Sequence, residues 1–256
     1  MSDTSSPPPA SAASSARASI TTSAIMAGIC ALSPVPFVDD LFIGAIRRHA
    51  VRRIFRARGK ELTWGQARAL TRTHRNLLVG CLLGVVVYPI RKIFRKVFYI
   101  FAVKEAVAVA SRLLHQGRLV EHALASGCLS VDELGASKEP LSRLNVTIQQ
   151  TCDEANTDSI LRIFEASFAG GRAFLRSLGR RAVRILRALS VMRQPDAVDA
   201  LPGQLEGERE RGLLADLHTA LLGEEVYFAV LTASFDERWA KELQAGEAPQ
   251  LTGGEE

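Results

Sequence analysis

Apolar residues recur along this chain every three to four positions, which is the spacing of one face of an α-helix. The clearest example begins at Asp39-Asp40, where acidic side chains favour a helix start, and runs to about Arg58. The face predicted to be buried holds Ile43, Ile46, Ala50, Val51 and Ile54. The opposite face holds Arg48, His49, Arg52, Arg53 and Arg56. This pattern predicts a basic amphipathic helix.

Two segments are uncharged, and each could be buried either in a protein core or in a membrane. Residues 18–38 carry no charge over 21 positions, which is long enough for a membrane span. Pro34 and Pro36 shorten the helical part to about 15 residues, roughly 23 Å, so a buried core helix and half of a re-entrant hairpin fit equally well. Residues 77–90 are also uncharged, and Gly80 and Gly84 have the G-x-x-x-G spacing that lets two helices approach closely.

Two further segments combine a basic face with an apolar one. Between about 90 and 116, tyrosines accompany a cluster of lysine and arginine, a composition typical of the lipid headgroup region. Between 172 and 193, arginines recur every three or four residues. The predicted lipid or anion contacts are therefore Arg48, Arg52, Arg53, Arg56, Arg91, Lys92, Arg95, Lys96, Arg172, Arg176 and Arg180, and the predicted helix-packing positions are Gly80 and Gly84.

The remaining segments complete an all-α organisation, because alternating strand patterns are almost absent. Thr63 and Gln66 have the spacing of a capping box and predict a further helix start. We expect a multi-helix bundle with an apolar helical hairpin and several basic amphipathic helices. Its predicted parts are a disordered tail (1–17), a basic apolar helical region (18–120), a mixed helical region (121–203), an acidic helical pair that packs on the rest (204–244) and a second disordered tail (245–256).

Charge divides the chain into two unlike halves. Of its 256 residues 47% are hydrophobic and 23% charged, an ordinary globular balance. Residues 1–120 carry 18 basic and 5 acidic residues, whereas residues 121–256 carry 14 and 22, which together give the net charge of +5. The first half therefore suits an anionic partner, either a membrane or nucleic acid, although the second half could also neutralise it within the fold.

No residue pattern indicates catalysis, a cofactor or a metal. The glycine motifs that hold nucleotides are absent, and the four cysteines are scattered, as in proteins of a reducing cytoplasm. His115 and His122 are two helical turns apart, but we expect Gly117 to break the helix between them. We predict neither catalytic residues nor cofactors, and hence a protein that is not an enzyme.

The stretch from Ala31 to Asp40, with its Pro-x-Pro-x-x-Asp turn, precedes a basic helix that ends near Arg58-Gly59. This arrangement resembles the hydrophobic helical domains that are attached to some bacterial GTPases or occur alone. Gly80, Gly84 and Pro89 would match the Gly-rich apolar hairpin of those domains. The resemblance covers roughly residues 20–110, is accompanied by no GTPase motif, and does not extend to the basic cluster at 91–96. It implies membrane association and no known catalytic residue.

The hypothesis that follows is a non-enzymatic helical protein with a structural or adaptor role. It would dock on anionic lipid at the cytoplasmic face of the inner membrane, either peripherally or through an inserted hairpin. Two alternatives remain open, both in the cytoplasm: a soluble helical nucleic-acid-binding protein, and a soluble helical scaffold whose apolar segments form its core. A protein partner is possible, and the oligomeric state stays undetermined.

Overall fold

The computed structural model describes residues 10–31, 38–72, 95–128, 139–169 and 208–247, and these residues form eight α-helices and no strand. The predicted all-α class is therefore confirmed for this part of the chain. In chain order the helices are α1 (Ala10–Ala31), α2 (Val38–Ala57), α3 (Trp64–Thr71), α4 (Arg95–Ala125), α5 (Glu139–Glu154), α6 (Asp158–Ala169), α7 (Glu208–Leu222) and α8 (Glu225–Glu247). The predicted contact at Gly80 and Gly84 lies outside the described residues.

Helix α1 is largely buried in the bundle and packs against α2, α4 and α7. From Ile20 to Ala31 every residue except Thr22 is buried. The Thr21 and Thr22 hydroxyls donate to backbone carbonyls one turn earlier in α1, so their polar groups are satisfied within the helix. The uncharged segment predicted at 18–38 thus contributes a core helix. Across the described ranges, no helix has both the length and the apolar character needed to cross a membrane.

Helix α1 also starts earlier than the sequence analysis expected. It begins at Ala10, inside the stretch 1–17 that was predicted to be a disordered tail. Alanine has the highest helix propensity, and residues 10–16 consist only of alanine and serine. Ala16 is moreover buried. The first turns of α1 therefore belong to the folded bundle.

A short turn joins α2 to α3, and the sequence predicts both the end of α2 and the start of α3. The five positions of α2 that were predicted to be buried are buried, and Phe55 joins them. Gly59 has φ +69°, and the amides of Gly59 and Lys60 donate to the carbonyls of Arg56 and Phe55, which is the Schellman arrangement. The capping box at Thr63 and Gln66 opens α3, as predicted.

Helix α3 is short, with eight residues. It ends at Thr71, because Arg72 is extended with ψ 117°. The carbonyls at this end accept hydrogen bonds from other helices: the Gln116 amide donates to Leu70 and the Asn145 amide to Arg72, each over 2.9 Å. These side chains replace the next helical turn as partners for the free carbonyls.

Helix α4 is 31 residues long and runs without a break through Gly117. The expectation that Gly117 would end a helix is therefore wrong, and the reason is packing. A Cβ atom at Gly117 would lie 2.6 Å from Cγ2 of Ile20 on α1. Only a glycine permits so close an approach of the two helices, and the contact compensates for its weak helix propensity.

The two acidic helices lie against the rest of the bundle. Helix α7 packs on α6 and α1, and α8 packs on α5 and α4. Their inward positions are buried, namely Leu217, Leu221, Phe228, Leu231, Phe235 and Trp239. Polar contacts support this docking, since His122 bonds the Asp236 carboxylate over 2.8 Å and Arg238 pairs with Glu154.

Candidate anion-binding surface

The short connection between α2 and α3 brings a tryptophan against two arginines. Arg48 and Arg52 are one turn apart on α2, and Trp64 is the first residue of α3. The guanidinium carbons lie 5.7 Å and 5.2 Å from the centroid of the indole ring. Both distances are within the range of a cation–π contact. We call Arg48, Arg52, Trp64 and Arg68 the arginine–tryptophan cluster.

Arg52 is held in one orientation by the same connection. Its Nε atom donates to the carbonyl of Leu62 over 3.1 Å, and Leu62 itself is buried. The bond and the ring contact together restrict the planar guanidinium. The two terminal NH2 groups form no hydrogen bond to the described residues, so Arg52 presents an oriented pair of donors.

Arg48 and Arg68 concentrate positive charge beside this group. The Arg48 side chain is half-buried, and its terminal nitrogens lie 3.7 Å and 4.0 Å from the position that a Cβ of Gly44 would occupy. Burial first, and then the neighbouring charge of Arg68, lower the pKa of the Arg48 guanidinium. The charges of Arg48 and Arg68 therefore repel each other, and none of the described carboxylates lies within 4.0 Å of them.

Cations on the other helices are only partly paired. Five of them have an acidic partner within 4.0 Å, in the pairs Arg17–Glu121, Arg118–Glu121, Arg112–Asp153, Arg238–Glu154 and Lys241–Glu237. Arg48, Arg52, Arg53 and Arg68 have no described carboxylate within that distance, and the same is true of scattered cations such as Lys104 and Arg143. What distinguishes α2 and α3 is local density, because residues 38–72 hold nine basic and three acidic residues.

The predicted contact residues fall into two groups in the structure. Arg48, Arg52 and Arg53 are half-buried and Arg56 is exposed. Arg95 and Lys96 belong to the first turn of α4, but their side chains lie outside the described part of the chain. Also outside it are Arg91, Lys92, Arg172, Arg176 and Arg180, together with Gly80 and Gly84.

One residue of α2 was assigned wrongly, and two residues of α3 were missed. His49 was assigned to the basic face but is buried, with 5% exposure, because at 100° per residue it borders the apolar position Ile46. Trp64 and Arg68 were not predicted to join the site. The helix start at Thr63 was visible in the sequence. Periodicity alone cannot indicate which face of α3 meets α2.

The histidines do not form a metal site among the described residues, where no group of three or more metal-ligating side chains occurs. His115 and His122 do share helix α4, but each has another partner. The Nδ1–H of His115 donates to the Ser111 carbonyl over 2.6 Å, so its Nε2 accepts the hydroxyl proton of Tyr227 over 2.5 Å. Burial lowers the pKa of His115 to about 4, and the ring is neutral.

A second concave surface lies between α5, α6 and α8. It encloses about 470 Å³ and is lined by Tyr227 and Leu231, with the exposed residues Val226 and Val230 at its edge. Of the charged residues that line it, Glu154 already pairs with Arg238.

In its described part the protein is an all-helical bundle in which arginines without a described carboxylate partner lie around a tryptophan. Comparison with protein-family models, curated proteins and solved structures finds no match to this chain. The resemblance to GTPase-attached membrane domains consequently stays a prediction.

Proposed function

We propose that this protein is a non-enzymatic, structural or adaptor protein that docks on anionic lipid at the cytoplasmic face of the inner membrane. The observation that carries the proposal is the density of positive charge on α2 and α3. Residues 38–72 hold nine basic and three acidic residues, and the arginines of the arginine–tryptophan cluster and Arg53 have no carboxylate partner among the described residues. Unpaired charge that is retained on one surface suits a partner that is itself anionic.

Peripheral docking agrees better with the packing than insertion of α1 does. The apolar residues of α1 are already covered by α2 and α4, and exposing them to lipid would require the bundle to open. The apolar face of α2 is buried in the same core. Contact would therefore be electrostatic, through the arginines that Trp64 positions.

The magnitude of such docking follows from the number of charges. Each basic residue near an anionic leaflet contributes about 1 kcal/mol. Arg48, Arg52 and Arg53 together would account for roughly a hundredfold in affinity. The predicted basic segments at 91–96 and 172–180 would add to this attraction.

Both alternatives have one observation in their favour. Arginines that lack carboxylate partners would also bind nucleic-acid phosphates. The burial of α1 favours the third interpretation, a soluble scaffold in which an apolar segment is simply core.

Flotation of the full-length protein with vesicles tests the proposal. We expect binding to phosphatidylglycerol-containing vesicles, no binding to pure phosphatidylcholine, and release by high salt. One triple variant replaces Arg48, Arg52 and Arg53 with Gln. A control variant removes the same charge from exposed sites on other helices, Lys104→Gln, Arg143→Gln and Arg162→Gln.

The first variant should lose roughly a hundredfold in vesicle affinity, while the control should lose much less. Circular dichroism checks that both variants fold. Equal losses in the two variants would remove α2 from the docking surface. If wild-type protein ignores anionic vesicles but binds duplex DNA, the nucleic-acid alternative replaces the proposal, and binding to neither leaves the scaffold.

A further inference from the structure

We infer that the arginine–tryptophan cluster is a defined binding site for a phosphate monoester headgroup of a membrane lipid, the group that phosphatidic acid carries. This inference rests on the proposed function and narrows it. A diffuse basic surface would respond only to the charge density of the membrane, whereas a defined site distinguishes between headgroups of equal charge.

The donors of the cluster are oriented before any ligand arrives. The Nε bond to Leu62 and the contact with Trp64 fix the plane of the Arg52 guanidinium. Its two terminal NH2 groups have the fork geometry that matches two oxygens of one phosphate. A lysine at this position would keep the charge but lose both the Leu62 bond and the fork.

The charge of the cluster favours a monoester over a diester. Three guanidinium groups are grouped here without a described carboxylate, and the charge of Arg68 acts on Arg48. A phosphate monoester carries about −1.5 to −2 at neutral pH and has three terminal oxygens. A diester such as phosphatidylglycerol carries a single charge and has two. The monoester can therefore satisfy more of the donors.

The environment of Trp64 argues against a nucleic-acid base at the same place. Two guanidinium groups already contact the indole ring, and its Nε1–H is shielded from solvent and has no acceptor among the described residues. A stacked base would have to displace one of the arginines that bind the phosphate. The ring thus serves to position arginines.

The test compares vesicles of phosphatidic acid and of phosphatidylglycerol, each in phosphatidylcholine and matched in measured zeta potential. We expect wild-type full-length protein to prefer phosphatidic acid by about tenfold. Arg52→Lys should abolish this preference while binding to phosphatidylglycerol persists. Arg53→Lys, on the same helix but without a contact to Trp64, should keep the preference.

A second pair of variants tests the site without disturbing the Leu62 bond. Arg68 and Arg72 are both exposed and both on or next to α3. Arg68→Gln should lose the preference for phosphatidic acid, and Arg72→Gln should retain it. Competition with glycerol 3-phosphate separates the sources of the phosphate, since a lipid site should not be emptied by the soluble ester at an equal phosphate concentration.

The vesicle and competition experiments distinguish failure of the defined site from failure of the proposed function. Equal affinity for the two vesicle types at matched potential would overturn the defined site and leave electrostatic docking intact. Binding to neither vesicle would defeat the proposed function as well. Complete competition by glycerol 3-phosphate would assign the cluster to a soluble phosphate ester and overturn the lipid source.

Discussion

Replacing Gly117 with alanine tests the closest approach between two helices of the core. The added Cβ would lie 2.6 Å from Cγ2 of Ile20, 3.2 Å from Cγ1 and 3.4 Å from Cβ. Carbon atoms in favourable contact are about 3.5–4.0 Å apart, so the methyl group overlaps the side chain by about 1 Å. Ile20 is fully buried, and a β-branched residue in a helix has one strongly preferred rotamer. The helices must therefore move apart.

The expected free-energy change has two opposing parts. Overpacking of a core costs about 1–3 kcal/mol, and replacing glycine by alanine inside a helix gains about 1 kcal/mol. Gly212 in α7 is exposed, and a Cβ there would have no atom within 4 Å. Gly212→Ala thus measures the propensity gain alone. Gly117→Ala should be less stable than Gly212→Ala by about 1–3 kcal/mol.

Urea unfolding followed by far-UV circular dichroism measures the free energy of unfolding of both variants. In a thermal scan, each kcal/mol of lost stability should lower the melting temperature by about 2–4 °C in a chain of this size. A double-mutant cycle localises the effect. Ile20→Ala alone should cost about 2–5 kcal/mol, and in that background Gly117→Ala should become stabilising, because the methyl group enters the space vacated by Ile20. The reasoning would be refuted if Gly117→Ala stabilised the wild-type protein as much as Gly212→Ala does.

Three further predictions concern the docking of the C-terminal helices. The first is that Tyr227→Phe, which leaves the buried Nε2 of His115 without a donor, should lower the free energy of unfolding in urea by about 1–3 kcal/mol. The second is a pH dependence. The folded-state pKa of His115 is about 4, below its usual 6.5, so the unfolded state takes up a proton first as the pH falls, and stability should drop by about 2 kcal/mol between pH 8 and pH 5. His115→Gln should remove that part of the slope, and an unchanged slope would contradict the assignment. The third is that truncation after Pro202 should expose the core positions covered by Leu231 and Phe235, lower solubility and raise affinity for anionic vesicles. A truncated chain that melts as before would show α7 and α8 to be independent of the bundle.

Local signals in the sequence were enough to predict several helices and their ends. The apolar spacing of α2 identified the residues that are buried, and Gly59 and the Thr63–Gln66 capping box mark the turn between α2 and α3. These features depend on backbone conformation and on hydrogen bonds within a few residues. Such interactions are present in any short segment and can be recognised without knowing its neighbours.

The pairing of distant faces was decided by the tertiary structure alone. Gly117 was expected to end a helix, yet the close packing of Ile20 keeps α4 continuous. His115 meets Tyr227 across 112 positions of the chain, and Trp64 of α3 meets Arg48 and Arg52 of α2. Periodicity shows that a helix has an apolar face and a polar face. Which helix covers that face, and which polar side chains meet at its edge, depends on the simultaneous burial of all the apolar surfaces in one core, and no local segment contains that information.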